Sequence, residues 1–186
     1  MKKRIMTALA VLIGMFLLTA SIVWAQPVPV VKTGQTISYR TGDDGYYEKG
    51  VTSPNNRFTD NGDGTVTDNL TGLMWAKNAN LGGTMTWNDA LSYANSLSLG
   101  VSCGTPRTDW RMPNVNELQS LLDRENYTPA LPTSHPFSNV PDYYYWSSST
   151  STSNTSEAWT VYISYGSVSD FNKTTPVCLW PVRGGN

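Results

Sequence analysis

The sequence is poor in the residues that most catalytic and metal-binding chemistry uses. Its 186 residues include one histidine, His135, and two cysteines, Cys103 and Cys178. A lone histidine without clustered acids leaves no ligand set for zinc. It also leaves no cysteine–histidine pair for nucleophilic catalysis. The cysteines stand 75 positions apart, so they do not form the neighbouring pair that redox chemistry needs. Charged residues make up only 15% of the chain, with a formal net charge of −1. Setting aside Lys2, Lys3 and Arg4 leaves ten basic against fourteen acidic side chains. Such a chain has no broad basic field, and nucleic acid is not an expected partner. The serine triplet Ser147-Ser148-Ser149 lacks a G-x-S-x-G elbow, and His135 has no evident acid partner. No enzyme activity is expected.

Aromatic residues are what the chain has in quantity: seven Trp, ten Tyr and four Phe. With abundant serine, threonine, asparagine and glycine, they suit a loop-rich extracellular domain. Residues 1–25, MKKRIMTALAVLIGMFLLTASIVWA, place three positive charges before an apolar run and end on small residues. That is the pattern of a secretory signal peptide. The run from Ile5 to Trp24 is also close to the length that spans a bilayer, so the alternative is an uncleaved anchor, the one route to a membrane partner. Residues 26–55 are broken by prolines and glycines and read as a linker or wrap with at most one or two strands. In an exported chain two cysteines read as a disulfide, here Cys103–Cys178. Closing a loop of that size stabilises by about 4–5 kcal/mol on the chain-entropy account.

From residue 56 onward the pattern is that of an α+β domain. In RFTDNGDGTVTDNLTGLMWAK, residues 57–77, Asn61-Gly62-Asp63-Gly64 marks a tight turn and Asn69–Gly72 a second, which together predict a β-meander. Asp60, Asn61, Asp63 and Asp68 read first as hairpin residues that tolerate turn conformations, with a weak calcium site as the alternative and calcium as the one conceivable cofactor. An EF-hand is excluded, because its register puts Thr59 at position 1 and Leu70 at position 12. Thr86-Trp87-Asn88-Asp89 opens an amphipathic helix of about twelve residues, ending before Gly100. DWRMPNVNELQSLLD, residues 109–123, reads as a strand end, a turn and a second helix capped by Asn114 and Glu117. Leu118, Leu121 and Leu122 form its apolar face, and Arg111 with Glu117 makes a structural ion pair.

The C-terminal half begins with a proline-rich loop, Tyr127 to Asp142. Strands follow at Tyr143–Ser149 and Ala158–Tyr165. Along the second, Trp159, Val161, Ile163 and Tyr165 alternate with Thr160, Tyr162 and Ser164. Ser167–Phe171 can pair back, and Val177–Arg183 is the last strand. Trp75, Trp110, Trp146 and Trp180 are the expected core.

The motifs RFTDNGDGTVTDNLTGLMW, TWNDA, DWRMPNVNELQSLLD, YYWSSS, AWTVYIS and PVRGG, in this order, resemble the Lcl C-terminal domain family over about residues 56–185. The resemblance implies a C-type lectin-like fold, with two helices packed on small antiparallel sheets, of the kind shared with formylglycine-generating enzymes. Those enzymes use a close cysteine pair, which is absent here. The family's namesake adhesin binds sulfated glycosaminoglycans from a collagen-like stalk. This chain has no such repeat and a negative mature charge. The expectation is therefore a secreted or cell-surface module that binds a glycan or an extracellular protein. The expected binding residues are Tyr143, Tyr144, Tyr165, Asp170, Asn172 and Lys173. The alternative is an accessory envelope domain that docks to proteins and takes no small ligand. Either could form homo-oligomers.

Overall fold

A computed structural model describes residues 30–102 and 104–184. The wrap contains a short helix, α1 (Asp44–Tyr47), and an isolated bridge between Val31 and Val51. The helix corrects the expectation of strands alone. Asp43 explains it: its carboxylate accepts the backbone N–H groups of Tyr39, Arg40 and Tyr46 and caps the helix. The wrap is tied to the domain through Glu125, which accepts from Thr36 N at 2.6 Å and Ile37 N at 3.2 Å.

The meander forms where the turn residues predict it. β1 (Phe58–Asp60) and β2 (Thr65–Asp68) pair antiparallel around a turn with Gly62 and Gly64 at positive φ, 73° and 85°. That backbone favours glycine. β3 (Met74–Ala76) adds to β2. A second sheet starts with β4 (Thr84–Met85), which leads into α2 (Trp87–Ser96). Thr86 caps α2 and accepts from Asp89 N. β5 (Val101–Ser102) and β6 (Thr105–Pro106) make a small hairpin. α3 (Val115–Ser120) carries the complete Asn114/Glu117 capping box.

β7 (Tyr144–Thr150), β8 (Glu157–Tyr162) and β9 (Ser167–Asn172) form an antiparallel run. β10 (Val177–Cys178) pairs parallel with β7 and antiparallel with β4, so this sheet has the order β4-β10-β7-β8-β9. β11 (Val182–Arg183) crosses to the first sheet, whose order is β1-β2-β3-β11. The two helices lie on opposite faces of the five-stranded sheet. On one face Tyr145, Val161 and Ile163 pack with Leu118, Leu121 and Leu122 at the α3 end of the main core. On the other, Trp146 and Ala158 pack with Ala90 and Ala94 of α2. Trp75, Trp110, Trp146 and Trp180 are all buried. Trp75, Phe137 and Tyr145 gather around Trp180, with ring centroids 4.8 to 5.9 Å from it.

The architecture is mixed α+β, with sheets dominating. Residues 1–25 lie outside the described residues, as does Cys103, half of the expected disulfide. Its expected partner Cys178 is buried in β10 and has no cysteine to pair with among the described residues. Burial pushes this thiol up to about 11. No helix of the described residues is long and apolar enough to cross a membrane. α2 stops at Ser96, two residues short of expectation. β8 ends at Tyr162, not Tyr165, because residues 163–166 turn back toward β9.

Candidate functional site

The end of the five-stranded sheet beyond α2 carries a connected group of aromatic rings. Cross-strand pairing puts Tyr144 of β7 opposite Tyr162 of β8. Side chains opposite each other in an antiparallel pair share a face. Their rings stack 4.6 Å apart at an interplanar angle of 17°. Phe171 of β9 also lies 4.6 Å from Tyr144, tilted by 47°. Tyr143 stands edge-on to Tyr144 at 6.1 Å, and Tyr165 edge-on to Tyr162 at 5.4 Å. Tyr144, Tyr162 and Phe171 are half-buried, while Tyr143 is 40% and Tyr165 61% exposed. The exposed rings therefore sit on a rigid half-buried base.

Asp142 borders this platform. Its Oδ1 accepts the Tyr162 hydroxyl at 2.6 Å and the Ser164 hydroxyl. Those hydrogen bonds, Ser164 first, hold the carboxyl below its usual range, while the same contact raises the Tyr162 phenol. Asp142 Oδ2 accepts no hydrogen bond from the described residues and faces an exposed position. The site thus combines aromatic faces, phenolic hydroxyls and one ionised carboxylate edge.

Three of the six residues expected to bind, Tyr143, Tyr144 and Tyr165, come together here. The other three do not. Asp170 points to the opposite face of β9, opposite Trp159, and accepts from Ser151 Oγ at 2.9 Å. Asn172 is spent on its own turn, accepting from Thr174 N at 3.1 Å and Thr174 Oγ1 at 2.7 Å. Lys173 is a staple: its Nζ lies 4.2 Å from the Trp87 ring centroid and donates to Thr150 Oγ1 at 2.9 Å and Thr155 O at 3.0 Å. Sequence reasoning missed Tyr162 and Phe171. Alternation put Tyr162 opposite Tyr165, but the turn after β8 brings Tyr165 back onto the Tyr162 ring.

The acidic hairpin does not gather its oxygens around one point. Asp60 is bound by Lys77 at 2.7 Å. Asp63 binds Arg107 at 2.7 Å and accepts from Thr65 and Val101 N, bonds that drive its pKa far down against desolvation. Asn61 bonds Thr65 and Thr67 within the hairpin. Asp68 is buried on the domain side and holds Arg57 through two bonds, at 3.2 and 3.1 Å. Each acid has a different partner, and the four residues of the alternative calcium reading are tied up separately. Among the described residues no group of three or more His, Cys, Asp or Glu converges as a metal site.

Arg111 and Glu117 meet in a two-pronged pair at 2.8 and 2.6 Å. Burial opposes ionisation of Glu117, but the hydrogen bonds from Arg111 and Asn114 outweigh it and its pKa falls. A carboxyl held this way is no proton shuttle at neutral pH. His135 is partly buried beside Phe137, with Nδ1 unpartnered among the described residues, and burial lowers its pKa. A cleft of about 180 Å³ between wrap and domain is lined by Lys32, Glu48, Arg57, Leu122 and Asp123. Its charges are largely satisfied, by Lys32–Glu48 at 3.1 Å and by Arg57–Asp68.

No curated protein matches the chain. Residues 64–183, from the turn of the acidic hairpin through β11, match the family model of the Lcl C-terminal domain. The match spans the whole five-stranded sheet, β2, β3 and β11 of the other sheet, α2, α3 and every residue of the ring platform, and the chain belongs to the Lcl C-terminal domain family.

Proposed function

We propose that this chain is an exported, non-catalytic binding module that takes a glycan on the ring platform of β7, β8 and β9. The observation that carries the reading is the exposed pair Tyr143 and Tyr165 on a stacked base, with a free carboxylate edge at Asp142. The apolar faces of sugars stack on aromatic rings, and their hydroxyls need acceptors such as Asp142 Oδ2. Secretion through residues 1–25, the Cys103–Cys178 disulfide and a C-type lectin-like fold belong to the same proposal. Two helices on opposite faces of a small sheet support the last of these.

A second reading is an accessory envelope domain that docks to a protein partner or to a second copy of itself. It is favoured by the exposed rings of the wrap, Tyr39 at 79%, Tyr46 at 56% and Tyr47 at 54%. Binding of the purified full chain to a broad glycan array, with calcium and then with chelator, separates the two. The expected result is selective binding, unchanged by chelator and weakened at least about tenfold by Tyr165→Ala, since one exposed anchor ring can carry that much. Absence of binding to any glycan refutes the module and points to the protein-docking reading.

A further inference from the structure

Resting on the glycan reading above, we infer that the platform selects uncharged glycans and excludes sulfated and carboxylated ones. The rings are surrounded by a part of the chain almost free of cations. No lysine or arginine occurs between Arg124 and Lys173, the span that supplies every ring of the platform and Asp142. The charged residues of β8 and β9, Glu157 and Asp170, are both acidic. α2, which covers the neighbouring part of the same face, carries Asp89 as its one charge.

Two cations bound this span, and neither is supplied by the strands that carry the rings. Arg124 Nη1 donates to Gly166 O, on the Leu122 side of the turn. Lys173 is held by Thr150, Thr155 and the Trp87 ring. An anionic group laid on the rings therefore meets no cation from the span that carries them. It meets Asp142 instead, whose carboxyl stays ionised because Ser164 and Tyr162 donate to it. Like charges at such range repel, and the more so beside a low-dielectric ring surface.

A neutral sugar meets a different surface. Asp142 Oδ2 accepts a hydroxyl proton in a charge-assisted bond. The hydroxyls of Tyr143, Tyr165 and Ser167, all on exposed residues, can donate or accept. Ser167 lies directly opposite Tyr162 in the β8–β9 register and so shares its face. Neutral hydrogen-bonding groups around stacked rings recognise hydroxyls, and one carboxylate supplies the sign that rejects anions.

The test is affinity electrophoresis of the full chain through gels holding matched polysaccharides: dextran, laminarin and mannan, each beside its own sulfated derivative. The expected result is retardation by at least one neutral polymer, at least about tenfold weaker for its sulfated partner, and lost in Tyr165→Ala. Asp142→Asn should weaken the neutral complex about tenfold and narrow the gap to the sulfated partner. Tighter binding of a sulfated polymer, abolished by Tyr165→Ala, would overturn the selectivity and leave the glycan platform standing. No retardation by any polymer, on a chain shown folded by its tryptophan emission, would remove both.

Discussion

Replacing Asp68 should unfold this domain more readily than any surface ion-pair change, and the reason lies in how many parts one carboxylate joins. Asp68 is fully buried and Arg57 only 6% exposed. Besides the two bonds to Arg57, the carboxylate accepts from Leu70 N at 3.0 Å and Thr71 Oγ1 at 2.9 Å. The same guanidinium donates to Ser120 O at the end of α3. One pair thus fixes the β1–β2 hairpin, the turn into β3 and the end of α3. Asp68→Ala leaves a nearly buried cation with a single acceptor. Breaking one partner of a buried pair costs about 3–5 kcal/mol, against a total stability of about 5–15 kcal/mol for such a domain. The double change Arg57→Met with Asp68→Leu removes both charges and should cost clearly less than Asp68→Ala alone. Asp109–Arg183, with Asp109 60% exposed, is the control, and Asp109→Ala should cost less than about 1 kcal/mol. Urea unfolding followed by the emission of the four buried tryptophans measures all four chains. A cost under about 1 kcal/mol for Asp68→Ala, or a double variant worse than the single, would refute the argument.

Lys173→Ala should destabilise by about 1–2 kcal/mol through the lost ring contact and hydrogen bonds, and leave ligand affinity of the folded chain unchanged; a selective loss of affinity would return Lys173 to the site. Glu117 has its folded pKa below the ordinary 4.5, so its contribution to stability is complete above that value and disappears as pH falls through the lower folded value. Stability of the wild type measured by urea midpoints should therefore hold from neutral pH to about 5 and decline below 4.5, with a shallower decline in Glu117→Gln; identical slopes in the two chains would contradict this. In the chain kept reduced, Cys178, 2% exposed and raised to about 11, should resist thiol reagents at pH 8 while folded and lose that protection in urea; rapid labelling of the reduced native chain would show that β10 opens.

What could be read from the sequence was local. Asn114 and Glu117 cap α3 because both partners lie within four residues, and Gly62 and Gly64 turn the hairpin for the same reason. The buried tryptophans were legible from their surroundings in strand-like runs. The acids of the hairpin show the limit. Asp60, Asp63 and Asp68 look alike in sequence, yet one meets Lys77, one Arg107 and one is buried on Arg57. Their roles depend on partners up to 44 residues away. Asp43-Asp44-Gly45 reads as a turn, but Asp43 gathers three backbone donors and caps a helix that Asp44 and Gly45 open. The alternation that put Tyr162 and Tyr165 on opposite faces failed for a geometric reason. Period-2 alternation holds only while the strand lasts, and a turn begun three residues early reverses the side on which a ring lands.

The same sheet explains why a site stands at one end and a core at the other. α2 approaches through Ala90 and Ala94, which are small enough to let the helix close on Trp146 and Ala158. Further along the strands the positions on that face hold Tyr144 and Tyr162, and a helix cannot come as near to upright rings as to alanine side chains. These rings instead fill the space with each other, at 4.6 Å. Tyr144 and Phe171 still touch the α2 cluster, so the inner edge of the platform is also the outer edge of the core. Rigidity passes outward from packed residues to exposed ones, from Trp146 through Tyr144 and Tyr162 to Tyr165. Rings held in this way lose little conformational entropy when a ligand arrives. A loop-rich chain with few charges can therefore still present an ordered aromatic surface, because its aromatic residues are first packed and only then exposed.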